Sequence, residues 1–106
     1  MVFGLVQAES SFRRHAVSEA GAIGYTQILP STAQWLDPAV REGDLYDPET
    51  NLRLGFRYLR ILLEENAGET RLALLAYNRG PGTVRSIVAR GDDPANGYAA
   101  RIMGSE

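Results

Sequence analysis

The residue with the clearest potential for chemistry is Glu9, a carboxylate that falls on an apolar helical stripe. The residues three, four and seven positions before it and three after it are Val6, Leu5, Val2 and Phe12. Residues at these spacings share one face of an α-helix. A carboxylate on a buried face loses hydration, which raises its pKa and keeps it protonated near neutral pH. Such a carboxyl is suited to general acid catalysis on a poor leaving group.

A structural interpretation of Glu9 stays open on these residues alone. Arg13 follows it by four positions and would lie on the same helical face, where the two could form an ion pair. Ion pairs also perturb the pKa values of carboxylates, so the stripe does not by itself establish catalysis. His15, the only histidine, has no Ser/Asp set placed around it by the sequence and is interpreted as a loop or helix-end residue.

The composition narrows the possible functions. The chain has 106 residues, of which 44% are hydrophobic and 23% charged, the balance of one globular domain. Its net charge of −2 argues against a domain that coats nucleic acid, although it leaves room for a local basic patch. The chain has no cysteine, which excludes disulfides, thiolate metal sites and a cysteine nucleophile. No apolar run reaches the roughly 18 residues of a membrane span, and no export signal is visible.

The elements that must position Glu9 are short helices separated by glycine and proline. Apolar spacing predicts helices over 2–12, 31–37, 48–66, 70–80, 81–90 and 93–102. The expected N-caps are Ser31 or Thr32, then Asp47 before Pro48, and Thr70. Period-two alternation is poor, and 13–30 is expected to be a loop or weak local structure. The sequence therefore predicts a small all-α domain of five or six helices.

Several weak motifs occur in one order along the chain. They are Glu9-Ser10-Ser11-Phe12, Ala16-Val17-Ser18, Gly21-Ala22-Ile23-Gly24-Tyr25-Thr26-Gln27, Pro30-Ser31-Thr32-Ala33, Asp47-Pro48 with Asn51-Leu52-Arg53-Leu54-Gly55 and Tyr58-Leu59, Ala76-Tyr77-Asn78, and Gly80-Pro81-Gly82. The ordered set closely resembles the catalytic domain of lytic transglycosylases of the soluble-lytic-transglycosylase (SLT, family 1) type. The resemblance runs from about Leu5 to Ile102 and implies a lysozyme-like helical fold, similar to goose-type lysozyme, with a glycan cleft.

The resemblance implies a reaction as well as a fold. The family cleaves the β-1,4 bond between N-acetylmuramic acid and N-acetylglucosamine in peptidoglycan without water, and it leaves a 1,6-anhydromuramoyl end. Glu9 would then be the single general acid and base. Glycosidases that use water or a protein nucleophile need a second carboxylate. In this sequence Asp44, Asp47 and Glu49 are interpreted as loop and cap residues, so none stands in a comparable apolar setting.

The family's substrate-binding positions are carried over one residue at a time. Ser10 and Ser18 match positions that line or support the cleft near the acid, and Gln27 matches a glutamine that contacts glycan. Tyr77 matches a tyrosine near the catalytic carboxyl, Asn78 an asparagine that contacts sugar, and Tyr98 a C-terminal cleft tyrosine.

Three features depart from the family pattern. Tyr25-Thr26 replace Leu-Met, whose methionine packs against glycan, which predicts a changed sugar subsite. Pro94-Ala95 replace Glu-Thr, which predicts the loss of a polar contact in the cleft. Residues 1–106 are expected to form a single domain whose first helix is shortened, because eight residues precede Glu9.

Two other functions remain open on the sequence. One is a muramidase that uses water, and the other is a non-catalytic peptidoglycan-binding module on the same fold. In each case the expected partner is a peptidoglycan glycan strand, with no nucleic acid, no transmembrane segment, no metal and no cofactor, and the protein is expected to be a monomer. Action in the bacterial cell envelope, periplasmic or extracellular, or as part of a phage, is expected, with the export signal outside this chain.

Overall fold

The computed structural model describes residues 2–92 together with Ala99, Ile102 and Met103. Within these residues the elements are helices: α1 Val2–Ser10, α2 Pro30–Leu36, α3 Pro48–Glu65, α4 Thr70–Arg79 and α5 Pro81–Ala89, with a 3₁₀ helix over Glu42–Tyr46. The all-α prediction is confirmed. In this part of the chain, no helix combines the length and the apolar character needed to cross a membrane.

The first residues of α2, α3 and α4 can be compared with the predicted N-caps. Asp47 caps α3 as expected, and its carboxylate accepts a hydrogen bond from the backbone N–H of Thr50 at 3.1 Å. The other two predictions are wrong. Helix α2 begins at Pro30 after Leu29, without a side-chain cap. Thr70 is already the first residue of α4, because the Glu69 side chain accepts from the backbone of Arg71 and fills the cap position.

Helix α1 ends earlier than the predicted residue 12. Ser11 and Phe12 have φ values of 51° and 61°, a left-handed conformation that stops the helix. Ser10 closes the last turn by donating its hydroxyl to the Val6 carbonyl at 3.1 Å. As a consequence Phe12 leaves the apolar stripe and is 45% exposed. Arg13 also lies beyond the helix, where its Nε donates to the Ser10 carbonyl at 3.2 Å.

The buried side chains form two clusters. The first joins α1, α3, α4 and α5, and it contains Leu5, Leu59, Leu62, Ala73, Leu74, Leu75, Ala76, Val84, Ala99 and Ile102. The second joins the 13–30 loop, α2 and the 3₁₀ helix to α3, and it contains Ile23, Ile28, Ala33, Leu36, Val40, Leu45 and Leu54. Tyr58 packs against both clusters, so the middle of α3 is the common wall of the fold.

The C-terminal segment supports α1 at close range. A Cβ on Gly4 would lie 3.0 Å from the Ile102 carbonyl oxygen, so a larger residue would require the two backbones to move apart by a few tenths of an ångström. Ala99, Ile102 and Met103 have helical backbones, and the first two are buried. The remainder of the helix predicted over 93–102 lies outside the described residues.

Candidate active site

Two cavities meet at Glu9. The larger, of about 650 Å³, is lined by Glu9, Arg13, Arg14, His15, Ala16, Val17, Ser18 and Gln27. The smaller, of about 360 Å³, is lined by Glu9, Ser18, Ala20, Ala22, Gln27, Ile28, Leu29, Thr32, Tyr58, Tyr77, Asn78, Arg79 and Gly80. We call them the basic cavity and the aromatic cavity. Glu9, Ser18 and Gln27 belong to both, so together the cavities form a cleft that passes the carboxyl on two sides.

Glu9 enters this cleft from the end of a helix. It is the penultimate residue of α1 and is partly buried, with buried Leu5 and Val6 one turn before it. Because Phe12 lies beyond the helix end and is exposed, it does not cover Glu9 in the way that the stripe predicted. Glu9 instead faces the cleft. The stripe therefore predicted the burial of Leu5 and Val6, although it overstated how far Glu9 is enclosed.

The cleft wall opposite α1 is the 13–30 loop, which buried Asn51 fastens to α3. The Asn51 amide nitrogen donates to the carbonyls of Ile23 and Leu45 at 2.8 and 2.9 Å. Its amide oxygen accepts from the backbone N–H and the hydroxyl of Thr26 at 2.9 and 2.8 Å. One side chain of α3 thus holds the loop at two positions and the 3₁₀ helix at a third.

Two glycines make room for this fastening. A Cβ on Gly24 would collide with the Asn51 amide and lie 2.9 Å from the Leu45 carbonyl oxygen. A Cβ on Gly55, one turn along α3 from Asn51, would collide with the Thr26 side chain. Both positions therefore require glycine so that the loop can lie directly on α3.

Gln27 is held at the point where the two cavities meet. Its amide nitrogen donates to the Ala16 and Gly24 carbonyls at 2.9 and 3.0 Å, and its backbone has a φ of 51°. The backbone N–H of Gly24 donates to the same Ala16 carbonyl at 2.8 Å. Local hydrogen bonds therefore fix the orientation of the glutamine before any ligand binds.

Tyr77 connects α4 to the same loop. Its hydroxyl donates to the Thr26 carbonyl at 2.8 Å, and its ring lies 5.4 Å, centroid to centroid, from the ring of Tyr58. Burial raises the pKa of the Tyr77 phenol far above its usual value, and the nearby charge of Glu9 raises it further. The phenol is therefore neutral at all ordinary pH values and remains a hydrogen-bond donor.

The other predicted site residues divide between the cleft and its support. Ser18 lines both cavities, and its hydroxyl accepts from the Ala22 backbone at 3.0 Å. Asn78 lines the aromatic cavity from the end of α4. Ser10 is 3% exposed and lines neither cavity, so its place is beneath Glu9, where it closes the helix. Tyr98 and Pro94-Ala95 lie outside the described residues.

The departure at Tyr25-Thr26 has a different meaning from the one the sequence suggested. Thr26 is fully buried and bonded to Asn51, so it presents no surface to a sugar. Tyr25 lines neither cavity. The substitution of Thr for Met therefore belongs to the attachment of the loop to α3. Neither Tyr25 nor Thr26 is therefore placed to contact a sugar directly in this structure.

Sequence reasoning missed Asn51 as a site residue. Its signal was present, because Asn51 lies three and four residues before Leu54 and Gly55, on the buried face of α3. A polar residue on a buried face was the same kind of signal that singled out Glu9. The aromatic cavity also includes Tyr58 and Thr32, which were not among the predicted site residues.

Comparison with known proteins identifies the family. The model of the transglycosylase SLT domain matches residues 1–97. The chain belongs to the transglycosylase SLT domain family, as the ordered motifs predicted.

Among curated relatives, membrane-bound lytic murein transglycosylase C of Haemophilus influenzae is 35% identical over 111 residues, which cover 90% of this chain and 30% of that protein. The enzyme of the same name from Haemophilus ducreyi is 37% identical over 102 residues, which cover 82% of this chain and 28% of that protein. The chain thus spans less than a third of the length of these relatives.

Solved structures agree with this assignment. The 70 kDa soluble lytic transglycosylase from Escherichia coli superposes with a TM-score of 0.76 at 30% identity, covering 95% of this chain and 18% of that one. The lytic transglycosylase Slt from Pseudomonas aeruginosa superposes with a TM-score of 0.78 at 29% identity, covering 95% and 19%. The Pseudomonas structure is of an inactive mutant in which one glutamate is replaced by glutamine.

Proposed function

We propose that this chain is a catalytic domain that cleaves the β-1,4 bond between N-acetylmuramic acid and N-acetylglucosamine in peptidoglycan and forms a 1,6-anhydromuramoyl end. One observation carries the proposal. Glu9 is the only carboxylate among the described residues that line either cavity, and it stands where the two cavities meet. A strand lying in both cavities would pass Glu9 in its middle, with sugars on each side of the bond to be broken.

A single carboxyl suits this reaction because the attacking group belongs to the substrate. In the first step, protonated Glu9 gives its proton to the glycosidic oxygen as the bond to the muramoyl anomeric carbon breaks. In the second step, the 6-hydroxyl of the same muramoyl residue bonds to that carbon and gives its proton to the Glu9 carboxylate. The carboxyl is regenerated, and no water is consumed.

The position of Glu9 supports its use as an acid. Because Glu9 lines both cavities, its carboxyl can reach a bond that crosses from one cavity to the other. Buried Leu5 and Val6 beneath it also reduce hydration on that side. The inactive glutamate-to-glutamine mutant of the Pseudomonas relative is consistent with a family that depends on one carboxyl.

The predicted binding residues have two kinds of role in this proposal. Ser18, Gln27 and Asn78 contact glycan directly, and Tyr77 supports the cleft through its bond to the Thr26 carbonyl. Ser10 positions Glu9 by completing the last turn of α1. Tyr98 stays a predicted contact. A peptidoglycan substrate implies action in the bacterial cell envelope, and the curated relatives are named as membrane-bound.

The test is a digest of purified peptidoglycan by the intact chain and by its Glu9→Gln variant. Mass spectrometry of the muropeptides should show products one water lighter than reducing muropeptides with the intact chain only. Glutamine keeps the shape of the side chain but cannot donate the carboxyl proton, so a loss of about 10²-fold or more in rate is expected. Ser31→Ala is a matched control, because Ser31 lies on α2 and lines neither cavity of the cleft.

Other products would contradict the proposal in distinct ways. Reducing-end products would indicate that water attacks and that the domain is a muramidase. An absence of products from either form, together with binding to the glycan, would indicate a binding module. Undiminished cleavage by the Glu9→Gln variant would show that another group is the acid.

A further inference from the structure

The two halves of the cleft differ in charge. The basic cavity is lined by Arg13, Arg14 and His15, whereas Arg79 is the only basic side chain among the described residues lining the aromatic cavity. The aromatic cavity instead contains Tyr58 and Tyr77. The whole chain has a net charge of −2, so this concentration of positive charge does not follow from its composition.

The three basic residues are placed by the end of α1. The left-handed turn at Ser11 and Phe12 redirects the chain immediately after Glu9, and the next three residues line the wall of the basic cavity. The Arg13 side chain is anchored by its bond to the Ser10 carbonyl, while the His15 ring lies 5.9 Å from that of Tyr46. The same turn that presents Glu9 therefore presents a cationic surface beside it.

Arg14 lies near the Asp47 carboxylate. The Asp47 carboxyl has a lowered pKa, first because it accepts hydrogen bonds from the backbone and hydroxyl of Thr50, and to a smaller extent because Arg14 is near. Both of those bonds belong to the cap of α3. Asp47 is thus engaged with its own helix, and the Arg14 guanidinium retains donors that can meet an anion in the cavity.

Peptidoglycan brings an anion to this position. Each muramoyl residue carries a peptide stem on its lactyl group, and a peptide ends in a carboxylate. The muramoyl residue at the broken bond must lie against Glu9, so its stem leaves the cleft close to Glu9. Of the two cavities that meet there, the basic one has the charge that complements a carboxylate and the donors that bind it.

We propose that the basic cavity, besides its share of the glycan strand, holds a subsite for the peptide stem, in which Arg13 and Arg14 bind the carboxylates of the stem. This inference rests on the proposed function, because it requires a muramoyl residue at Glu9. If the arginines bind these carboxylates, the peptide stem helps to determine which glycan strands the protein binds. The basic cavity, at about 650 Å³, is of ordinary size for a ligand site.

The test compares two synthetic tetrasaccharides of alternating N-acetylglucosamine and N-acetylmuramic acid. Both carry peptide stems, and in one of them the stem carboxyls are converted to amides. Affinities are measured by calorimetry in the Glu9→Gln background, so that the ligands are not consumed. The ligand with free carboxylates should bind more tightly, and its advantage should shrink as salt is raised.

Charge variants then assign the preference to the arginines. Changing both Arg13 and Arg14 to glutamine should reduce the preference for free carboxylates by about tenfold, the effect of losing two exposed charge pairs. Changing both to lysine should keep most of it, because the charge remains. Arg60→Gln is the matched control, since Arg60 is an exposed arginine of α3 that lines neither cavity.

The outcomes separate this inference from the proposed function. An unchanged preference in the double glutamine variant, while the intact chain still forms anhydro products, would overturn the stem subsite alone. An equal loss of affinity for both ligands in the double glutamine variant would also overturn the stem subsite, because the arginines would then bind a part of the strand other than the carboxylates. A protein that binds neither ligand would overturn both the subsite and the proposed function.

Discussion

Thr26 and Asn51 lie 25 residues apart in the sequence, and the amide oxygen of Asn51 accepts two hydrogen bonds from Thr26, at 2.9 and 2.8 Å. Both residues are buried. Asn51→Ala would leave the Thr26 backbone and hydroxyl and the Ile23 and Leu45 carbonyls without this partner. We expect a loss of about 3 kcal/mol or more in the free energy of unfolding, measured in urea.

Asn66 provides the control for that change. It is also an asparagine of the α3 region, but it is only partly buried and its amide makes one bond, to the Leu62 carbonyl at 2.7 Å. Asn66→Ala should cost about 1 kcal/mol. Equal losses for the two variants would contradict the view that Asn51 fastens the cleft wall.

Gly55→Ala tests the close contact between the loop and α3. Alanine is the better helix former, so propensity alone predicts a gain in stability. The structure predicts the opposite, a loss of about 1–3 kcal/mol, because the new Cβ would collide with Thr26 inside the core. Gly82→Ala in α5 is the matched control, since among the described residues its Cβ would meet only the end of the Arg85 side chain, at 4.0 Å. The Gly82 variant should be neutral or slightly stabilised in thermal unfolding.

Tyr77→Phe tests the bond from α4 to the Thr26 carbonyl. Removing the hydroxyl deprives a buried carbonyl of its donor, and a loss of about 1–2 kcal/mol is expected in urea unfolding. Tyr58→Phe changes the neighbouring ring in the same way, but no hydrogen bond of its hydroxyl is seen among the described residues, so its stability should change by about 0.5 kcal/mol or less. Similar losses in both variants would argue against a specific role for the bond.

The cap of α3 should make stability depend on pH in the acidic range. Hydrogen bonds from Thr50 lower the pKa of Asp47 below 3.8, so its contribution is present above that pH and is lost as the pH falls through the lower, folded value. Asp47→Asn keeps an acceptor at the cap position but removes the titration. The stability difference between the parent and this variant should therefore shrink between neutral pH and about pH 2.5. A difference that does not change with pH would contradict the assignment.

The sequence predicted those parts of the fold that depend on local chemistry. The Asp47-Pro48 start of α3 and the all-α class followed from capping and helical spacing, and both are present. The cap of α4 was misplaced by one residue, because Glu69 takes the position that was predicted for Thr70, and α2 begins at Pro30 without the side-chain cap that was expected. The 3₁₀ helix over Glu42–Tyr46 was missed because a single short turn has no periodicity to detect.

From the residues alone, the site was predictable only where a polar residue stands on an otherwise apolar helix face. Glu9 interrupts an apolar stripe, and that signal led to a residue of the cleft. The family resemblance then supplied Ser18, Gln27 and Asn78, which do line it. The burial of Thr26 and the role of Asn51 depend on contacts between distant segments, which the sequence shows only as one more polar residue on a buried face.

The hydrogen bonds that join Asn51, Thr26 and Tyr77 determine when the cleft wall can be completed during synthesis. During synthesis Glu9 is made before α3, whose Asn51 binds Thr26 in the cleft wall. The bond from Tyr77 to the Thr26 carbonyl can form only after α4 has also been made. The carboxyl is thus synthesised before the residues that complete the cleft wall, because Thr26, Asn51 and Tyr77 all follow Glu9 in the sequence. A copy whose synthesis stops before α4 would therefore carry the Glu9 carboxyl without the bond from Tyr77 to Thr26 that helps to hold the cleft wall.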